Sequence, residues 1–252
     1  MRVALAARAK LNLDLQVLGR RADGFHEIRT HMQAVALHDL LEVAPAARTG
    51  LTVEGLTVPR GGDNIVLRAL NAVEKVAGRE LPTEVRLYKR IPPGAGLGGA
   101  SSDAAALLRA MQVVHGVELD LMKIAKGLGA DVPFFLRGGS ALVEGNGDRL
   151  TQLPAEPAWY VIAWPAVELS TAAVYKAWDE SPGDAPNELR RAAEQVDRRV
   201  QDFAARLGHA WQMTGSGSGF FRRCSNREEG DRLAEALDCW TAVTSSVGTW
   251  GR

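Results

Sequence analysis

The chain has 252 residues, 46% of them hydrophobic, and its 30 Lys and Arg balance 30 Asp and Glu to give a formal net charge of zero. That length suffices for one large domain or two smaller ones, and the even balance supplies no basic excess for nucleic acid and no polybasic tract for a membrane surface. Cys224 and Cys239 lack metal-ligand spacing and build no disulfide framework, which fits a reducing cytosol; Arg2, Arg8 and Lys10 interrupt any apolar signal core, and no run approaches membrane-spanning length.

Residues 3–17 alternate loosely and predict a long strand or a strand pair, with Lys10 and Asn12 inside it. Residues 19–27 (GRRADGFHE) make a charged turn, and residues 30–43 hold another strand. A short strand at 51–53 leads to turn residues Gly61 and Gly62. Asp63 or Asn64 can then cap a helix whose apolar positions Leu67, Leu70, Val73 and Val76 keep helical spacing. A strand at 84–89 feeds a glycine-rich loop, and a helix over 104–114 follows it. The next helix covers 119–128, with Asp120 as its cap and Gly129 as its stop. DVPFFL at 131–136 sits just beyond that stop, and the glycine-rich stretch 137–150 reads as a hairpin. Pro154 and Pro157 mark the best domain boundary. Beyond them come a buried strand at 159–164, a long amphipathic helix over 188–207, a second glycine loop within 211–221, a helix at 230–236 and a final strand at 240–247. Strands and helices mix without regular βαβ alternation, so the expected class is α+β.

The richest stretch is 91–106, IPPGAGLGGASSDAAA. Gly94, Gly96, Gly98 and Gly99 leave the backbone unshielded. Ser101, Ser102 and Asp103 are good N-cap residues for the alanine-rich helix behind them. Bare N–H groups beside a helix N-terminus suit an anion, most naturally the phosphates of a nucleotide, and so point to phosphoryl transfer. Gly94, Gly96 and Gly99 satisfy the dinucleotide fingerprint, but Pro92 and Pro93 separate them from the strand, and no Lys follows Gly98 or Gly99 to make a Walker loop. A tight strand-to-helix turn without a ligand is the plainer alternative.

Four further features each have a plain and a chemical reading. Lys10, between apolar neighbours, either faces water from an edge strand or meets an anion. Asp131, also among apolar residues, either caps a short turn near Pro133 or is a paired carboxylate. The glycine loop TGSGSGFF at 214–221 is a flexible hairpin turn or part of a site. His26 is either a solvated turn histidine or, with one donor and one acceptor when neutral, a reader of a base edge. His31, His38, His115 and His209 show no ligand spacing and read as structural, and the charge run over 188–199 reads as a solvated helix face.

The order P-x-G-x-G-L-G-x-x-S-S resembles the phosphate loop of the GHMP kinase superfamily. Together with A-K-x-N-x-x-L at 9–15, R-R-A-D-G-F-H at 20–26, G-A-D-V-P-F-F at 129–135 and M-x-G-S-G-S at 213–218, it is similar to one of its families, the 4-diphosphocytidyl-2-C-methyl-D-erythritol kinases of non-mevalonate isoprenoid synthesis. The similarity covers nearly the whole chain. It implies a two-domain α+β fold, with a ribosomal-protein-S5-like N-terminal domain (1–152) and a ferredoxin-like C-terminal sandwich (153–252). It also implies ATP-dependent phosphorylation of the 2-hydroxyl of the methylerythritol unit.

By the same resemblance, Asp131 takes or orients the hydroxyl proton and Lys10 lies beside it. Gly94, Gly96, Leu97, Gly98, Gly99, Ser101 and Ser102 wrap the ATP phosphates, with Asn64 also at the nucleotide. Mg²⁺ accompanies ATP, with Ser101 or Ser102 as direct or water-mediated contacts; no dedicated metal site is expected. Asn12, Phe25, His26 and Tyr175 fall to the acceptor, a small molecule carrying a cytidine diphosphate group. A cytoplasmic enzyme is expected, with neither nucleic acid nor membrane as partner; oligomeric state is not legible. Ala100 and Thr214 depart from the usual residues of the family, and the segment between Asn187 and Met213 is shorter than in typical members. The rivals are another small-molecule GHMP kinase, of homoserine or mevalonate type, and a nucleotide-binding protein without turnover.

Overall fold

Strands β1 (Val3–Asn12) and β3 (His26–Pro45) each contribute residues to both compact units of the chain. The computed structural model describes residues 1–58 and 63–250; the expected turn at Gly61 and Gly62 lies outside the described residues. Unit one comprises Met1–Ala9, His38–Ile91 and Gly98–Arg137, and unit two Lys10–Leu37, Pro92–Leu97 and Gly138–Arg252.

In unit one, β4 (Gly50–Gly55) lies parallel to β5 (Thr83–Lys89), and β5 pairs antiparallel with residues 40–45 of β3. A parallel pair needs a crossover, which α1 (Ile65–Ala77) supplies. Of the two proposed caps Asn64 is the one used: its side chain accepts from the Val66 N–H at 2.9 Å. The buried stripe of α1 is Val66, Ala69, Leu70 and Val73, while Val76 is exposed. The expected stripe was therefore displaced around the helix, because periodicity in so apolar a segment leaves the helix phase open. Burial along β5 alternates strictly and places Thr83, Val85, Leu87 and Lys89 on the inner face.

Helix α2 (Gly99–His115) begins five residues before the expected start. Gly98 is its N-cap, in the left-handed region at φ 71°, and the Ser102 N–H donates to the Gly98 carbonyl at 2.9 Å. Ser101, Ser102 and Asp103 are thus not caps but members of the first turns. A glycine backbone can make the turn that the serines were expected to make with side chains. Helix α3 (Leu121–Leu128) follows, capped by Asp120, whose carboxylate accepts from the Lys123 N–H at 3.1 Å, and ended by Gly129. Asp131 then directly precedes the six-residue helix α4 (Val132–Arg137), whose residues 132–135 are buried.

In unit two, β2 (Gln16–Arg20) pairs antiparallel with the start of β3, setting Arg20 opposite His26. The charged turn is consequently shorter than expected and His26 is a strand residue. β6 (Ser140–Gly145) pairs with residues 28–33 of β3 and forms the expected hairpin with β7 (Arg149–Leu153). A second, wholly antiparallel sheet runs β11-β8-β10-β9, from β8 (Trp159–Trp164), β9 (Gln212–Met213), β10 (Phe220–Cys224) and β11 (Trp240–Ser245). Its apolar residues share a core with helices: Val161, Ala163 and Phe220 pack with Val174, Ala193 and Phe203.

Helix α5 (Thr171–Glu180) escaped the sequence reading, although Ser170 caps it by accepting from the Ala173 N–H. The single long helix expected over 188–207 is two, α6 (Arg190–Val196) and α7 (Arg198–Leu207). Asp197 breaks it: at φ −145° and ψ 115° it is extended, and its carboxylate accepts from the Arg199 N–H at 2.9 Å to start α7. Helix α8 (Arg227–Glu235) completes the set. No helix among the described residues is long and apolar enough to cross a membrane.

Candidate active site

The first half of the glycine-rich loop, residues 92–97, is held within unit two by three groups of contacts. Gly94 and Gly96 have φ of 65° and 71°, whereas the intervening Ala95 is not among the residues with positive φ. Such alternation turns successive backbone N–H groups toward a common side, an arrangement that favours anions. Ala95 and Leu97 bury their side chains, so Leu97 has only its backbone to offer a ligand. A Cβ on Gly96 would collide with the Thr214 carbonyl oxygen, which explains the glycine there.

The second glycine loop is the clamp that holds this one. Ser218 N–H donates to Gly94 O at 3.0 Å and Gly219 N–H to Ala95 O at 3.1 Å. It is itself tied down: Thr214 and Ser218 are fully buried, and the Asn187 amide donates to the carbonyls of Met213 and Gly215 at 2.8 and 3.0 Å. A flexible hairpin turn is excluded by this burial. Thr214 keeps the hydroxyl of the serine usual in the family, and its Oγ1 accepts from the Asn12 N–H at 2.9 Å.

Lys10 is the third anchor. It is 3% exposed, which overturns the edge-strand reading. Its Nζ donates to Gly96 O at 2.7 Å and to Asn12 Oδ1 at 2.5 Å, and its own N–H donates to Leu97 O at 3.0 Å. The ammonium thus sits directly under the loop. Asn12 gives its other end, Nδ2, to Thr30 Oγ1 at 2.8 Å, so its visible contacts serve to orient Lys10.

Within unit one, the α2 end of the loop rests on a buried ion cluster that the sequence reading missed. Lys89 Nζ donates to Asp39 Oδ2 at 2.5 Å and to Asp103 Oδ2 at 2.8 Å. Asp39 Oδ1 accepts from the Arg90 and Ile91 N–H groups at 2.5 and 2.9 Å, at the point where β5 gives way to the loop. Burial pushes the Asp103 carboxyl up to about 8, against the pull of Lys89 and with the help of Asp39. Burial alone would lower Lys89, but the two carboxylates outweigh it and the net direction is upward. Strict alternation along β5 was the signal for Lys89, since it falls on the same face as Thr83, Val85 and Leu87. In the same unit, the Gly129 segment that leads to Asp131 borders Ser101: a Cβ at Gly129 would lie 3.9 Å from Ser101 Oγ.

Asn64 caps α1. Phe25 is 63% exposed on the turn before β3, an uncovered aromatic ring. His26 is instead enclosed. Its ring stacks on Tyr175 with centroids 4.7 Å apart, meets Trp178 edge-on at 5.8 Å, and its Nε2 lies 2.7 Å from Asp179 Oδ1. Tyr175, Trp178 and Asp179 share one face of α5 at i, i+3 and i+4.

No group of three or more His, Cys, Asp or Glu among the described residues is placed to hold a metal ion. The hydroxyls of Ser101 and Ser102 at the start of α2 are hard oxygen donors of the kind Mg²⁺ accepts beside phosphate oxygens.

Comparison with known proteins shows what the chain is similar to. The model of the "GHMP kinases N terminal domain" matches residues 64–139. A 4-diphosphocytidyl-2-C-methyl-D-erythritol kinase of Pelotomaculum thermopropionicum is 43% identical, over 83% of this chain and 76% of its own length. A protein of the same name from Thermus thermophilus is 37% identical, over 93% of this chain and 92% of its own. The crystal structure of a 4-(cytidine 5'-diphospho)-2C-methyl-D-erythritol kinase superposes with a TM-score of 0.84 at 34% identity, covering 98% of this chain and 100% of that one. A mevalonate kinase from L. major, at 15% identity and a TM-score of 0.68 over 99% of this chain and 97% of its own, shares the fold alone.

Proposed function

The chain belongs to the 4-diphosphocytidyl-2-C-methyl-D-erythritol kinase family, and from that premise we propose how its residues carry out the reaction. The enzyme is an ATP-dependent small-molecule kinase. It transfers the γ-phosphoryl group of ATP to the 2-hydroxyl of 4-diphosphocytidyl-2-C-methyl-D-erythritol, giving the 2-phosphate and ADP in isoprenoid precursor synthesis.

The observation that carries the reading is the construction of the phosphate loop. It alternates glycines of positive φ, it is clamped by a second glycine loop, and it has the Lys10 ammonium beneath Gly96. Phosphoryl transfer asks chiefly for positioning and for stabilisation of charge on oxygen. Backbone N–H groups of residues 94–99 and the N-terminus of α2, with Ser101 and Ser102, hold the phosphates. Asn64 borders the nucleotide side. Lys10, with Asn12 orienting it, stabilises charge on the transferred group. Asp131 accepts or orients the hydroxyl proton. The Ser101 or Ser102 hydroxyl would hold Mg²⁺ brought in with ATP, and the ion would supply neutralisation of phosphate charge. Phe25, His26 and Tyr175 form the acceptor's cytidine end. We also propose functional domains 1–152 and 153–252, with the family-model match at 64–139 lying inside the first, and a cytoplasmic location.

A coupled ADP-release assay across acceptors tests the reading. Turnover is expected with the diphosphocytidyl acceptor and much less with methylerythritol phosphate lacking the cytidine; equal use of both, or turnover only with homoserine or mevalonate, would refute it. His26→Ala is expected to raise KM for the full acceptor about 5- to 150-fold, the effect of leaving a base edge unpaired at about 1–3 kcal/mol. ATP affinity should stay nearly intact, although part of the loss can surface in kcat because remote binding aligns the hydroxyl. Gly98→Val tests the loop. At φ 71° a β-branched residue is strained by about 1–2 kcal/mol or more. Calorimetry should show ATP affinity reduced about tenfold in a folded protein, and unchanged affinity would argue for a merely structural turn.

A further inference from the structure

His26 uses one ring nitrogen on the protein itself, and the partner decides what the other nitrogen offers. Asp179 Oδ1 lies 2.7 Å from Nε2. The second oxygen of the same carboxylate faces the Arg20 guanidinium at 3.9 Å, and Arg20 stands opposite His26 in the β2–β3 register. An ionised carboxylate only accepts hydrogen bonds. Nε2 must therefore carry the imidazole proton toward Asp179, and a neutral His26 presents a lone pair at Nδ1. No hydrogen bond to Nδ1 is seen among the described residues. The ring cannot easily turn to exchange its nitrogens: its side chain is 9% exposed, and Tyr175 stacks on its face while Trp178 meets it edge-on.

We propose that Asp179 is a positioning residue for specificity: it fixes His26 as the Nε2–H tautomer, so that Nδ1 accepts from an exocyclic amino group on the pyrimidine of the acceptor. This rests on the reading of His26 as part of the cytidine end of the site. A cytosine ring brings an amino group to that lone pair. A uracil ring brings a carbonyl oxygen, and two acceptors would then face one another with no proton between them. A site arranged around a donor rejects the analogue that lacks it more strongly than shape alone does. Tyr175 and Asp179, one turn apart on α5, then have separate tasks: one confines the ring and the other sets its proton.

Two measurements test this independently. In protein labelled with ¹⁵N-histidine and studied without ligand at pH 8, long-range ¹H–¹⁵N correlation reads the tautomer of His26 directly. Wild type is expected to show the Nε2–H form, and Asp179→Ala a mixture with Nδ1–H. Asp179→Asn, nearly isosteric and so a guard against misfolding, is also expected to give a mixture, because its amide can either accept from or donate to Nε2. A wild-type Nδ1–H tautomer, or unaltered Nε2–H in both variants, overturns the proposal.

In steady-state assays both variants should raise KM for the diphosphocytidyl acceptor about tenfold with kcat within about twofold of wild type. The preference for this acceptor over its diphosphouridyl analogue should fall by a similar factor. Preference kept at the wild-type level also overturns the proposal. A wild-type protein that shows the Nε2–H tautomer yet uses no diphosphocytidyl acceptor would refute the proposed function instead, so the two failures are distinguishable.

Discussion

Replacing Asp131 by Asn is expected to lower kcat by about 10²-fold or more, the effect of removing a positioned acid–base group, while ATP binding survives. The substitution keeps the shape and removes the charge and the basicity. It is structurally mild, because Asp131 is only partly buried and directly precedes α4, where an Asn serves the backbone as well as an Asp does. The buried Val132, Pro133, Phe134 and Phe135 hold the segment in place whether or not residue 131 is charged. The loss should therefore fall on turnover and not on folding. Single-turnover kinetics would locate it in the phosphoryl-transfer step, and calorimetry would check that ATP affinity is retained. A folded Asp131→Asn enzyme with near-normal kcat would remove Asp131 from the mechanism.

Lys89→Met should cost the protein about 3–5 kcal/mol of stability near neutral pH, the usual penalty for breaking a buried ion cluster by removing one partner. Asp39 and Asp103 are 0% and 3% exposed, so neither carboxylate can turn to water for the lost ammonium. Asp39 would keep its two backbone donors at Arg90 and Ile91. Asp103 would keep none of its visible partners, since Oδ1 already has no hydrogen bond among the described residues.

The cluster also dictates a sign for pH dependence. A carboxyl whose folded-state pKa is raised, as Asp103 is to about 8, contributes its full stability below its unfolded value near 4 and loses it as pH rises toward 8. Lys89, raised above 10.5, contributes fully below that value and loses its contribution only as pH climbs past it. Wild-type stability should thus fall as pH rises from 5 to 8. Denaturant unfolding at pH 5 and pH 8 measures both effects. Equal stability of variant and wild type at pH 8 would show that the cluster does not hold the loop entry in place.

Much of the local structure was legible in the sequence because short segments carry it. The loop at 94–99 declares itself by glycines whose positive φ only glycine adopts without strain, and Asp120 and Asn64 cap helices by bonds that span two or three residues. β8 spans the residues expected of it, since a six-residue apolar run between tryptophans has few other places to go. Local signals failed where a neighbour far along the chain decided the outcome. Ser101, Ser102 and Asp103 looked like caps, but the backbone of Gly98 made the turn and freed Asp103 to meet Lys89. Asp197 looked like one more charge on a solvated helix, yet its side chain competes with the backbone and splits the helix.

By itself the sequence determined the α+β class, the family and the glycine-rich loop between β5 and α2, because these depend on local backbone permissiveness and on motifs a few residues long. Only the tertiary structure decided that TGSGSG is a buried clamp, that Lys10 reaches Gly96, and that Asp179 meets His26 across 153 residues of chain. The reason is physical. A buried lysine, carboxylate or imidazole must find a partner to offset its desolvation, and which partner it finds is set by packing between segments whose separation in sequence says nothing of their distance in space.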